Sequence, residues 1–163
     1  MRVDVLSRRK KKKFVEGLSS LGIRKIPQML VRSGKERIRA FSGYLDKAGV
    51  MDIWHLLPIE GIGLYVGKDM VNRNGIREVR LSLDGMHAWK EQLDERVLDL
   101  NEEQEGEWFL GRDVELNELQ KMEAGFVSVR SDEDFVGVGK IGADGNILFG
   151  FLPKERRRKE RMS

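Results

Sequence analysis

Three short β-type runs close this chain: Gly125-Phe-Val-Ser-Val-Arg130, Phe135-Val-Gly-Val-Gly-Lys140 and Asn146-Ile-Leu-Phe-Gly-Phe151. Turn-forming clusters separate them, Ser131-Asp-Glu-Asp134 and Gly142-Ala-Asp-Gly-Asn146. Strands this short, spaced by Gly- and Asp-rich turns, suggest a small, closed β module. The last run leads directly into Pro153-Lys-Glu-Arg-Arg-Arg-Lys159, so the module carries a block of cations. Lys154, Arg156, Arg157 and Arg158 follow the strand immediately, and Lys140 ends its neighbour. Cations tethered to a rigid edge keep a fixed spacing, which suits phosphate better than a loose tail does.

Charge is distributed unevenly. Residues 1–40 hold 13 Lys or Arg against 3 Asp or Glu, residues 91–134 hold 4 against 15, and residues 152–163 return to 6 against 2. Clustered cations at both ends attract polyanions, whereas the acidic middle offers a surface to basic partners. The net charge of +3 conceals this pattern. The chain has no cysteine, which excludes thiol nucleophiles, Cys-ligated zinc, iron–sulfur clusters and disulfides. It has no run of 18 apolar residues and no unbroken apolar signal core, so a cytoplasmic protein without a membrane partner is expected.

Upstream, Phe14, Val15, Leu18 and Leu21 fall at helical spacing over 8–21, with Arg8 to Lys13 as an exposed cationic start and Gly22 as a stop. Met29-Leu-Val-Arg32 and Arg37-Ile-Arg-Ala-Phe41 flank Ser33-Gly34 and read as a hairpin. A short helix is expected over 46–56, closed before Pro58. Strands are expected at 62–66 and 79–83, then a helix capped by Asp84 through Trp89 and Leu93, then a strand at 97–100. The acidic stretch 102–107 reads as a linker, with a domain boundary near residue 104. The fold class is therefore α+β, in two units of about 1–104 and 105–163.

Enzyme chemistry finds no foothold. Gly61-Ile-Gly-Leu-Tyr-Val-Gly67-Lys68 lacks the first glycine and the hydroxyl of a phosphate-binding loop, and Val66 breaks the dinucleotide pattern. A strand punctuated by glycines explains it better. His55 and His87, beside Trp54 and near Trp89, are expected as buried or half-buried rings, and no metal ligand set or nucleophile elbow is present in the sequence. No catalytic residue, metal or cofactor is expected.

Phe135-Val-Gly-Val-Gly-Lys140, followed by Pro153-Lys154, resembles the PUA-like RNA-binding tail of ribosomal RNA cytosine-5 methyltransferases of the Nol/Nop/Fmu (Sun) group. In that tail a Leu-Gly-Trp-Gly-Lys strand leads to a Tyr-Pro-Lys turn. Gly63-Leu-Tyr-Val-Gly67, His87-Ala88 and Trp108-Phe-Leu-Gly111 are similar to its other motifs in the same order, so the likeness spans about 35–158. Val138 replaces the motif's Trp, Leu152 its Tyr, and Phe149-Gly150 its Lys-Asn, which turns the expectation from base stacking towards phosphate.

The resemblance implies a pre-PUA domain followed by a PUA-like barrel, standing alone as an RNA-binding protein of the ribosome-biogenesis class. Lys140, Lys154, Arg156, Arg157 and Arg158 would then contact RNA. Lys68 and Arg112, each following a glycine at an element end, are further candidates. Ribosomal RNA or its precursor is the expected partner, with ribosomal proteins or an RNA methyltransferase beside it. The alternative is an adaptor that docks a basic protein on its acidic 91–134 face.

Overall fold

The computed structural model describes residues 2–57 and 61–160. The chain is a mixed α+β fold with two five-stranded sheets, one of them curled into a half-barrel. It forms two compact units: Met1–Ser19 with Ile23–Gln92, and Leu93–Ser163 with Ser20–Gly22.

In the first unit the sheet order follows the sequence: β1 (Val3–Val5), β2 (Met29–Ser33), β3 (Arg37–Phe41), β4 (Leu64–Val71) and β5 (Arg77–Leu81), all antiparallel. The Ser33-Gly34 hairpin falls where the turn chemistry places it, with Met29 opposite Phe41 and Ser33 opposite Arg37. Helix α1 (Arg8–Gly17) starts on Ser7, whose hydroxyl accepts from the Lys10 N–H, and buries Phe14. A 3₁₀ turn at Ser19–Leu21 completes the expected helical stretch before Gly22. Helix α2 (Lys47–Leu56) is capped by Asp46. Val50 and the partly buried Met51 and Trp54 pack with Val3, Val5 and Val31 in one apolar cluster. The expected stop at Pro58 lies outside the described residues.

Helix α3 (Leu83–Ala88) begins two residues earlier than the sequence implied. Ser82, not Asp84, is its cap: the hydroxyl accepts from the Gly85 N–H at 3.0 Å and donates to the Tyr65 carbonyl at 2.8 Å. That second bond fastens the helix start to β4, an advantage a carboxylate two residues later does not offer. Leu83 thus opens a helix instead of ending a strand.

The second sheet has the order β6–β8–β9–β10–β7, from β6 (Val97–Leu100), β7 (Val114–Glu115), β8 (Gly125–Ser131), β9 (Asp134–Ile141) and β10 (Ile147–Gly150). The three closing strands stand where expected. β6 is the exception to the antiparallel pattern, running parallel to β8 with Leu98 opposite Val129.

The acidic stretch 102–107 is no linker. It forms most of helix α4 (Glu102–Leu110), with a reciprocal capping box between Asn101 and Gln104. Glu102, Glu103 and Glu105 occupy its first turn, where carboxylates face the positive end of the helix dipole. Residue 104 therefore sits inside α4, and the compact units divide between Gln92 and Leu93.

Trp108 anchors the second core, which joins Leu98, Leu100, Val114, Val127, Val129, Ile141 and Leu148. Its indole lies over two glycines of the strands. A Cβ on Gly137 would stand 2.8 Å from the ring, and one on Gly150 3.0 Å. Gly137 also holds a φ of 147° beside the bulge where β8 and β9 shift register, a conformation that disfavours any side chain. In the Phe135–Lys140 run, Gly137 thus makes room for Trp108, and Gly139 makes room for the Leu148 side chain.

Candidate nucleic-acid interface

In the second unit, antiparallel pairing sets Phe126 opposite Lys140 and Lys140 opposite Phe149, so all three share one face across β8, β9 and β10. The opposite face supplies Val127, Ile141 and Leu148 to the core. Lys140 Nζ stands 5.2 Å from the Phe126 ring centre, a cation–π contact. Phe151 tilts against Phe126 at 6.2 Å, and Phe149 is 40% exposed. Two phenylalanine rings thus flank Lys140 on this face. The sequence carried them in plain view, but only strand register brings them together.

Beyond Leu152, the chain turns through a 3₁₀ turn at Lys154–Arg156 that begins on Pro153. Lys154 and Arg156 are exposed there, with no side-chain partner among the described residues. Arg157 and Arg158 serve differently. Arg157 Nε donates to the Leu152 carbonyl at 3.0 Å, and its side chain lies against Gly111, where a Cβ would collide with it. Arg158 covers the Phe109 ring at 4.5 Å, its backbone N–H donates to the Phe109 carbonyl at 2.7 Å, and its guanidinium reaches Glu105 at 3.4 Å. These two arginines fasten the turn to α4. Arg112 is held by Glu107 at 3.3 Å and by Glu160. Those two carboxylates hold its guanidinium pKa above the ordinary value, Glu160 most strongly.

Lys68 belongs to the first unit, at the middle of a second row. Arg37 lies opposite Lys68, and Lys68 opposite Arg80, across β3, β4 and β5. Arg39, two residues along β3, pairs with Tyr65 after a register shift and shares that face. Burial raises the Tyr65 pKa, while Arg37, Arg80 and Arg39 pull against it, so its hydroxyl stays neutral and able to donate. In the sequence, Arg37 and Arg39 read only as part of a hairpin strand; their alternation would place both on one face, but only the register joins Arg80 and Tyr65 to them.

On the opposite pleat the charges are matched. Asp69 is buried and accepts from Arg77 through both oxygens, at 2.8 and 2.9 Å, and from Arg32 at 2.9 Å. Within the N-terminal cluster, Lys10 pairs with Asp4 at 3.3 Å and Lys11 donates to the Gln28 carbonyl at 2.7 Å. Among the described residues, no group of three or more His, Asp or Glu is placed to hold a metal, and no helix is long and apolar enough to cross a membrane. No family model and no curated protein matches the chain.

Proposed function

We propose that this chain binds structured RNA without chemistry of its own, as a cytoplasmic protein of the ribosome-biogenesis class. The observation that carries the reading is the Phe126–Lys140–Phe149 row on the exposed face of the second sheet. Aromatic faces accept unpaired bases by stacking, and a cation between them meets the adjoining phosphate. The Lys154–Arg156 turn, fastened by Arg157 and Arg158, adds two cations a few residues beyond Phe151. The resemblance of residues 35–158 to the PUA-like tail supports ribosomal RNA or its precursor as the ligand.

Part of the acidity of 91–134 serves the fold itself and is not offered to an adaptor's partner. Asp99 grips Arg130 through two hydrogen bonds at 2.6 and 3.0 Å. Glu105 accepts from Ser131 at 2.6 Å and from Arg158, and Glu107 holds Arg112.

The test is binding to ribosomal RNA fragments, transfer RNA and single strands across a salt series. Fragment-selective affinity that falls steeply with salt is expected. Phe149→Ala should weaken it by about fivefold or more, the loss of one stacked base. Uniformly weak binding, unchanged by Phe149→Ala and Lys140→Ala, would refute the reading.

A further inference from the structure

Like charges directly opposite one another across a sheet oppose folding. A fold with no use for them would separate or pair them, as this sheet does around Asp69 on its other pleat. On the face of Lys68, three cations stand in register on three consecutive strands, Arg80 also reaching Met70 Sδ at 3.7 Å. Adjacent strands lie about 4.8 Å apart, so the row spans roughly 10 Å across the sheet. The side chains of Arg37 and Lys68 have no hydrogen-bond or ion-pair partner among the described residues. Arg39 adds a fourth cation. Its Nη1 donates to the Gly63 carbonyl at 3.0 Å, while its Nε is buried without a hydrogen-bond acceptor. Glu36 lies in the hairpin turn, and Glu78 accepts from Asn72 at 3.0 Å.

From this arrangement we infer that the β3–β4–β5 face of the first unit is a separate binding site for single-stranded RNA. The strand's phosphates run along Arg37, Lys68 and Arg80, and a base lies on Tyr65 beside Arg39. A linear polyanion matches a straight row of cations, and the half-buried ring among guanidiniums supplies the aromatic platform that such strands use. An acidic peptide would satisfy the cations but leave the ring without a role. The inference rests on the RNA-binding reading above, yet concerns different residues on a different sheet.

The experiment compares two double variants of the full chain by fluorescence anisotropy with a labelled oligoribonucleotide of about 12 nucleotides, within the span of one binding face. Arg37→Ala with Lys68→Ala alters the first unit, and Lys154→Ala with Arg156→Ala the second. Loss of two phosphate contacts should weaken binding about tenfold and reduce the slope of log affinity against log salt by about 1.4, at roughly 0.7 per phosphate. Tyr65→Leu should weaken binding about fivefold or more, whereas Tyr65→Phe keeps it. Since the row is electrostatically unfavourable, the first variant should melt at or above the wild-type temperature. Lys68→Gln alone serves should that variant misfold, with about half the change in slope.

Wild-type affinity and slope in the first variant, with the second variant weakened, would overturn this inference and leave the second-unit site standing. The reverse pattern supports this site and removes the other. Wild-type protein without RNA affinity would overturn both, and equal competition by polyglutamate would overturn the assignment to RNA.

Discussion

Replacing Asp69 tests the charge logic of the first sheet. Its carboxylate is 8% exposed and accepts three hydrogen bonds, two from Arg77 and one from Arg32, whose side chains are 40% and 25% exposed. Removing one partner of a fully buried ion pair costs about 3–5 kcal/mol. Water reaches both arginines here, which discounts the loss, so Asp69→Ala should cost about 2 kcal/mol and Asp69→Asn, which keeps one acceptor, about 1 kcal/mol. The pH dependence identifies the cause. Burial pushes the Asp69 carboxyl up, but the hydrogen bonds and charge of Arg77, with those of Arg32, more than reverse it and hold it below 3.8. A carboxyl with a lowered folded pKa stabilises the fold above its unfolded value and loses that contribution as pH falls through the folded one. Urea denaturation of wild type and Asp69→Asn should therefore show a full gap at pH 7 that narrows as pH drops below about 4. A gap that stays constant down to the lowest pH of cooperative folding would refute the argument, because packing alone would then account for it.

Gly137→Ala should destabilise the second unit by about 1–3 kcal/mol, since it strains a positive φ and drives a methyl at Trp108; thermal melts followed by indole fluorescence measure it. Gln104→Leu should cost about 2 kcal/mol in chemical denaturation, because Gln104 completes the Asn101 capping box and donates to the Glu115 carbonyl and to Gln120. Lys68→Ala should stabilise the protein by about 0.2–1 kcal/mol at low salt, and the gain should shrink as salt screens the row. Raising Tm while lowering RNA affinity would be the mark of a binding residue held in place against its own electrostatics.

Much of the scaffold was legible in the sequence. Ser33-Gly34 and the turns at 131–134 and 142–146 locate their hairpins because turn residues act locally. The helix at 102–110 was also within reach: Asn101 and Gln104 have capping-box spacing, but the run of glutamates hid it. Only Gln104 and Trp108, one turn apart, are buried on that helix, too few for a periodic stripe. Lys154 and Arg156 remain exposed as a contact residue requires, whereas Arg157, Arg158 and Arg112 are tied to their own unit. Composition cannot distinguish an arginine that fastens a turn from one that faces a ligand. The rows Phe126–Lys140–Phe149 and Arg37–Lys68–Arg80 were illegible for another reason. Each is assembled by register between distant strands, and a shift of one residue would disperse it.

The parallel pairing of β6 with β8 sets an order of events during synthesis. The β8–β9 hairpin closes locally, on the microsecond scale. β6 has no such neighbour, because its partner lies about thirty residues downstream, beyond α4 and β7. At ribosomal rates of roughly 5–20 residues per second, that separation is a delay of a few seconds. Throughout it, Leu98 and Leu100, both buried in the finished core, lack the strand they pack beside. The interval between the emergence of β6 and that of β8 therefore governs how long this chain is open to chaperones or to mispairing with its own kind.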